Sequence, residues 1–239
     1  MKLPDRLARL ADYVIPGAVV ADIGTDHALL PAYLVQKGIC SRVIACDLHP
    51  GPLESAKRTV AQYGLDGKVE LRRGYGLEPL SPGEASVIVI AGMGGAKIRE
   101  ILAASPAVLE GTERLILQPL GGEALLRRWL LENGWALSDE ELVYEGGRFY
   151  VILVAESAKG SRTLQRFEDS LLEIGPKLLE KRHPLLVSYL KRLIQGYQDV
   201  LRSLERSKGA RASAVREDFQ KKIDFLKGVM ECLSDVKPS

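Results

Sequence analysis

The sequence predicts an α/β fold: an open, mostly parallel sheet with helices on both faces, followed by a C-terminal α-helical hairpin. Three observations predict it. β-branched runs alternate with amphipathic segments through the first half of the chain. Two strand-like runs then meet at Gly146-Gly147, and beyond them apolar residues recur every three or four positions.

Taken in order, Leu3, Leu7, Leu10 and Val14 sit at helical spacing, and Pro16-Gly17 ends that segment. Short runs at 19–24, 42–47, 69–74, 87–92 and 115–119 are apolar on both faces, as the strands of a covered parallel sheet must be. Amphipathic stretches at 30–37, 52–63, 96–104 and 122–133 supply the crossover helices. Residues 135–156, "WALSDEELVYEGGRFYVILVAE", read as a β-hairpin. An antiparallel pair closing a five-strand parallel sheet is the ending expected of a Rossmann-like class I methyltransferase sheet.

From Gly160 the pattern turns helical, with Leu164, Phe167, Leu171 and Leu172 leading to a break at Gly175-Pro176. Leu185, Leu186, Tyr189, Leu193, Tyr197, Val200 and Leu204 make one long apolar stripe; Phe219, Ile223, Leu226, Met230 and Leu233 make a second. "SKGARAS" (207–213) reads as the turn of a coiled-coil-like antiparallel hairpin. Two domains are expected, 1–158 and 159–239.

The charge is split between them. Residues 160–239 carry 16 Lys+Arg against 11 Asp+Glu, whereas residues 1–159 carry 17 against 20. A C-terminal part near +5 beside an N-terminal part near −3 points to an anionic partner for the helices. Cys40, Cys46 and Cys232 show no metal spacing, and with only His27, His49 and His183 beside them no metal site is expected. No apolar run of membrane-spanning length and no secretory leader occurs, so a cytoplasmic protein without a membrane partner is expected.

The loops at the carboxyl ends of the strands carry the chemistry. "VVADIGTDHALLP" begins like a dinucleotide-binding turn, but the later glycines of that motif are replaced by Asp26, His27 and Leu29. A phosphate would be repelled by an acid at this place. The turn suits a phosphate-free, cationic nucleoside, a description that S-adenosyl-L-methionine meets. Asp26 is open to two roles, an acid near a reacting centre or a helix N-cap. Pro31 predicts that the following helix starts late, near Leu30. Asp47 stands 23 residues after Gly24, close to the spacing of a ribose-binding acid, although a plain turn residue is also consistent. In "AGMGG" (91–95) no side chain can hold an exocyclic amino group. That suits methylation of a ring nitrogen, which already owns a lone pair. Met93 is open to packing on a base or filling the core, and His27 to assisting chemistry or holding a turn.

"ADIGTDHALLP", "IAGMGGAKI" and "LILQP", with "RLARLADYV" and "GPKLLEKRHPL", resemble the bacterial tRNA (adenine-22, N1)-methyltransferases over nearly the whole chain. The resemblance implies S-adenosyl-L-methionine as donor and tRNA as substrate, with N1 of an adenine in the D-arm region as acceptor. It implies cofactor contacts from Asp22, Ile23, Gly24 and Thr25, from Asp47 and Leu48, and from Gly74, Tyr75 and Gly76. Ala91, Gly92 and Met93 complete the cofactor set, and with Gly94 they floor the target pocket. Asp26 becomes the catalytic carboxylate near the reacting centre, with His27, Gly95, Gln118 and Pro119 on the substrate side. Arg6 on the first helix, and Lys191 and Arg192 on the hairpin, are expected to contact tRNA phosphates. The sequence departs from the family at Tyr75, where Asp or Asn is usual, and at Leu120, where "QPN" would place Asn.

Three alternatives remain at this point: a methyltransferase for another RNA or a small molecule, a catalytically silent RNA-binding protein with the same fold, and a nicotinamide oxidoreductase. The basic helices disfavour a small-molecule substrate, and the missing glycines disfavour the dinucleotide. A monomer is expected, with a dimer through the hairpin left open.

Overall fold

A computed structural model describes residues 1–159, 165–204 and 210–235. These fall into two compact units, Met1–Arg166 and Phe167–Ser239.

The first unit opens with α1 (Asp5–Asp12), followed by β1 (Val20–Ile23), α2 (Leu29–Gln36), β2 (Val43–Asp47), α3 (Pro50–Gln62) and β3 (Val69–Arg73). Then come β4 (Val87–Met93), α4 (Gly95–Ala103), α5 (Pro106–Glu110), β5 (Arg114–Pro119), α6 (Glu123–Glu132), β6 (Trp135–Glu145) and β7 (Arg148–Ser157). The expected strands all form. The short helix α5 was not expected; it begins at Pro106, whose fixed φ and missing N–H suit a first helical position.

The sheet order is β3-β2-β1-β4-β5-β7-β6. Strands β1 to β5 are parallel, and β7 runs antiparallel to both β5 and β6. The hairpin therefore inserts its second strand between β5 and its own first strand. Burial explains the choice: Val151–Ala155 of β7 is continuously buried, whereas β6 alternates buried and exposed positions as an edge strand does. The order reverses between β1 and β4, and such a switch point opens a crevice at the carboxyl ends of the strands.

The core lies on both sheet faces, and β1 is buried along its whole length. One charged pair is sealed inside it. Arg127 of α6 donates from Nε to Glu140 Oε1 of β6 at 2.5 Å, with both side chains fully buried. Removing one partner strands the other charge in low dielectric. Arg127→Ala is therefore expected to lose about 3–5 kcal/mol of unfolding free energy, measured by urea denaturation.

Among the described residues after β7, Lys159 and Gln165 bond back to the first unit. Lys159 Nζ donates to Glu110 O at 2.6 Å, and the Gln165 amide meets both the N–H and the C=O of Leu137. The second unit contains α7 (Asp169–Ile174), α8 (Pro176–Glu180), α9 (Leu186–Leu204) and α10 (Ala210–Asp235). The break at Gly175-Pro176 separates α7 from α8. Arg216 reaches Leu204 O and the Phe219 ring meets Tyr197, so α10 returns antiparallel along α9. The turn expected at 207–213 falls in part outside the described residues. Helix α10 begins inside it at Ala210, and residues 205–209 lie outside the described residues, as does Leu164.

Candidate active site

At the switch point, the ends of β1 and β4 and the first turns of α1 and α2 enclose a cleft of about 340 Å³. It is lined by Asp22, Gly24, Thr25, Asp26 and His27 from the first loop, by Ala91 and Gly92 from β4, and by Pro4, Arg6 and Leu7 from the start of the chain. Leu29 and Leu30 close it.

The first loop is held open by its backbone. The N–H groups of Gly24 and Thr25 both donate to Cys46 O of β2, at 2.8 and 3.1 Å. Gly24 has φ 78°, and a Cβ there would stand 2.4 Å from the Met93 methyl carbon. Asp26 (φ 43°) and Ala28 (φ 51°) also adopt left-handed backbone, which is strained for residues with a Cβ and is found most often at functional turns. The N-cap of α2 is Ala28, without a side-chain cap, so Asp26 is not the cap. Helix α2 starts at Leu29, late as expected, and Pro31 falls in its first turn.

Asp26 and His27 are solvent-facing and lie together, with Asp26 Oδ2 3.4 Å from His27 Nε2. Asp22 is the opposite case. It is buried at the end of β1, and burial pushes its carboxyl up to about 6, with Thr25 pulling it down and the Asp47 charge adding a smaller push. Among the described residues no ion pair neutralises it, and the buried Thr25 hydroxyl beside it has no hydrogen bond of good geometry. A buried carboxylate without a counter-charge, opening onto a cleft, fits a cationic ligand and disfavours a phosphate.

The β2 loop continues the site. Asp47 Oδ1 accepts from the His49 N–H at 2.8 Å, which fixes the carboxylate and leaves Oδ2 available. Leu48 is 45% exposed, a large apolar surface facing water. In the β3 loop, Gly74 packs so closely on Pro79 that a Cβ would meet Cγ at 2.4 Å, and Gly76 has φ 53° against Ile101. Tyr75 between them donates to Glu100 Oε1 at 2.6 Å, with Lys97 Nζ 4.5 Å from its ring centre. Its hydroxyl is thus committed to α4.

The "AGMGG" segment divides into two roles. β4 bulges between Ala91 and Met93, with Gly92 at φ 78°, and the bulge turns bare backbone toward the cleft. Gly94 is the N-cap of α4. Gly95 is buried against the α6 approach: its N–H donates to Gly121 O at 2.8 Å, and a Cβ would stand 2.6 Å from Gly122 O. It belongs to packing between α4 and the β5–α6 loop. Met93 stands over the Gly24 turn.

Gln118 is fully buried, and both its amide oxygen and its amide nitrogen are engaged. Its Oε1 accepts from Arg6 at 2.8 Å, and its Nε2 donates to Pro119 O at 2.8 Å. Arg6, expected to contact tRNA phosphate, borders the cleft, with its guanidinium 5.3 Å from the Tyr150 ring. The local sequence around Arg6 gives no sign of this, because the contact spans more than a hundred residues. Lys191 and Arg192 are exposed on α9 in the second unit. Several other basic side chains of that unit are engaged locally, Lys177 with Glu180 and Lys222 with Glu173.

Comparison with known proteins bears on this geometry. Residues 20–228 match the family model described as tRNA (adenine(22)-N(1))-methyltransferase. The chain belongs to this family. It is 38% identical over 237 residues to the tRNA (adenine(22)-N(1))-methyltransferase of Bacillus subtilis, covering 99% of this chain and 97% of that protein. The crystal structure of the B. subtilis tRNA methyltransferase TrmK superposes with a TM-score of 0.86 at 36% identity, covering 96% of this chain and 99% of that one. The structure of Streptococcus pneumoniae Sp1610 in complex with S-adenosyl-L-methionine superposes at 0.81 with 34% identity, covering 96% and 100%. The Rossmann-like methyltransferase sheet of the family is the sheet seen here. Among the described residues no cluster of three metal-ligating side chains occurs, and no helix is long and apolar enough to cross a membrane.

Proposed function

We propose that this chain transfers a methyl group from S-adenosyl-L-methionine to N1 of the adenine at position 22 of tRNA. The observation that carries the reading is the cleft at the switch point, where a buried, uncompensated Asp22 and an exposed Asp26 flank bare β4 backbone. Family membership along nearly the whole chain supports it.

The residues present fit the cofactor. Asp22 would meet its cationic amino-acid end, Asp47 would accept from ribose hydroxyls through Oδ2, and Leu48 would give the adenine an apolar surface. Gly24 leaves room for close approach. When bound, S-adenosyl-L-methionine supplies an electrophilic methyl carbon on a sulfonium.

The remaining work falls to the chain. The Ala91-Gly92 bulge lets a flat base lie against backbone, holding N1 at roughly 3–3.5 Å from the carbon it attacks. Adenine N1 carries a lone pair, so no base has to remove a proton before attack. As N1 alkylates, the ring becomes positive. The Asp26 carboxylate stabilises that charge and accepts from the adenine amino group, whose acidity rises as the ring charges. His27 holds the Asp26 side chain. Arg6, fixed by Gln118, borders the entrance and pairs with RNA phosphate.

The first unit is the methyl-transfer domain and the second binds tRNA, with Lys191 and Arg192 on phosphates. We place the protein in the cytoplasm, with its tRNA substrate, acting as a monomer. Lys191→Glu combined with Arg192→Glu is expected to weaken tRNA binding about tenfold and to lower the salt slope by about 1 to 2. Filter binding across a salt series checks this, and an unchanged slope places the RNA elsewhere. The reading itself is tested by reacting the protein with unmodified tRNA and mapping the product nucleotide by mass spectrometry. 1-Methyladenosine at position 22 is expected. Cofactor binding without transfer identifies a silent RNA-binding protein, and transfer to RNA lacking tRNA structure identifies another substrate.

A further inference from the structure

Helix α8 ends in a left-handed turn closed by two backbone hydrogen bonds. The Arg182 N–H donates to Leu179 O at 3.1 Å and the His183 N–H to Leu178 O at 3.0 Å, with Arg182 at φ 47°. The left-handed place in such a turn favours glycine, because a Cβ there crowds the carbonyl that follows. Elsewhere the chain obeys that preference. Helices α2 and α3 end with the same pair of bonds, and their left-handed residues are Gly38 (φ 68°) and Gly64 (φ 61°). At the end of α8 the glycine place is held by arginine.

No local contact of the side chain offsets that strain. Arg182 is exposed, and among the described residues its guanidinium makes no hydrogen bond or ion pair. It borders a cavity beside α10 with Phe225 and Val229. Asp224 borders the same cavity but does not pair with it, and Asp224 Oδ1 accepts from the Gln220 amide at 2.9 Å. A cation near the carbonyl end of a helix is favourable, yet Lys177 in the last turn and Lys181 at the C-cap already supply one. Strain kept without a structural return marks a residue retained for what it binds. A guanidinium offers paired N–H donors matched to phosphate oxygens.

We propose that Arg182 binds a backbone phosphate of tRNA. The proposal rests on the tRNA reading above, and it adds to the second unit a contact at the end of α8, before α9 begins.

Two substitutions separate the charge of this residue from its backbone strain. Arg182→Gly removes the charge and relieves the strain; Arg182→Lys keeps both. Arg182→Gly is expected to weaken binding of unmodified tRNA transcript about fivefold near 0.1 M salt and to lower the salt slope by about 1. Its thermal midpoint stays at the wild-type value or rises by up to about 4 °C. Arg182→Lys is expected to keep the wild-type salt slope and thermal midpoint, and the cofactor Kd stays within twofold in both variants. Filter binding across a salt series and thermal denaturation measure the two effects. A wild-type salt slope in Arg182→Gly, a lowered slope in Arg182→Lys, or a lowered thermal midpoint in Arg182→Gly overturns the role of Arg182 alone. A wild-type chain that binds no tRNA overturns the underlying reading as well.

Discussion

Asp26→Asn is expected to lower single-turnover methyl transfer tenfold or more, a rise of at least about 1.4 kcal/mol in the barrier, while cofactor affinity changes less than twofold. Asn is the informative substitution because Asp26 has φ 43°, a conformation that Asn tolerates and that Ala adopts only with strain. Asn also keeps an oxygen that can accept from the adenine amino group. What it removes is the negative charge opposite the ring that becomes positive. The structure leaves that charge available: Asp26 caps no helix, and its partner is the solvent-facing His27. Rapid-quench kinetics at saturating cofactor and tRNA measures the step. Unchanged single-turnover rates would remove Asp26 from the chemistry.

A second large effect is expected at Asp22. Asp22→Asn should weaken S-adenosyl-L-methionine binding at neutral pH by on the order of 100-fold, or about 2–3 kcal/mol, since it removes the buried partner of a cation. Calorimetric titration measures it. The pH dependence carries the sign. Without a ligand cation, burial holds this carboxyl at about 6, above its ordinary value, so the folded chain favours the protonated form. On this group's account, apo stability falls as pH rises from about 4 through 6. Cofactor affinity moves the other way: it is full above 6 and weakens as pH falls through 6, because protonation removes the charge that attracts the cation. The Asn variant should lose that pH slope.

Much of this was legible in the sequence, for reasons that differ by element. The parallel strands are short, continuously apolar and β-branched, so β1, β2 and β4 stand out without context. The order of the last two strands was legible in principle. The unbroken "VILVA" of β7 marks an interior strand, and the alternation of β6 marks an edge. Helix α5 was not legible from periodicity, because five residues do not complete two turns; Ser105-Pro106 was the only cue. The early start of α10 follows from "ARASA", where alanine propensity carries the helix back toward Gly209.

The site divides the same way. Asp22, Gly24, Asp26, Ala91 and Gly92 could be placed at one crevice because strand ends of an open parallel sheet converge there. Residues whose roles depend on distant partners could not. Arg6 meets Gln118 across 112 positions, and Gly95 meets the Gly121-Gly122 backbone, contacts that no local pattern encodes. Tyr75 departs from the family at a loop whose glycines are fixed by Pro79 and Ile101, and its ring is engaged by α4 residues some twenty positions later.

The most direct measurement is a crystal structure of this chain soaked with S-adenosyl-L-methionine. Density for the nucleoside across the Gly24 turn is expected, with its amino-acid end at Asp22, its ribose at Asp47 and its methyl directed to the Ala91-Gly92 bulge. An empty turn, or a pyrophosphate bound there when NAD is soaked in its place, would contradict it.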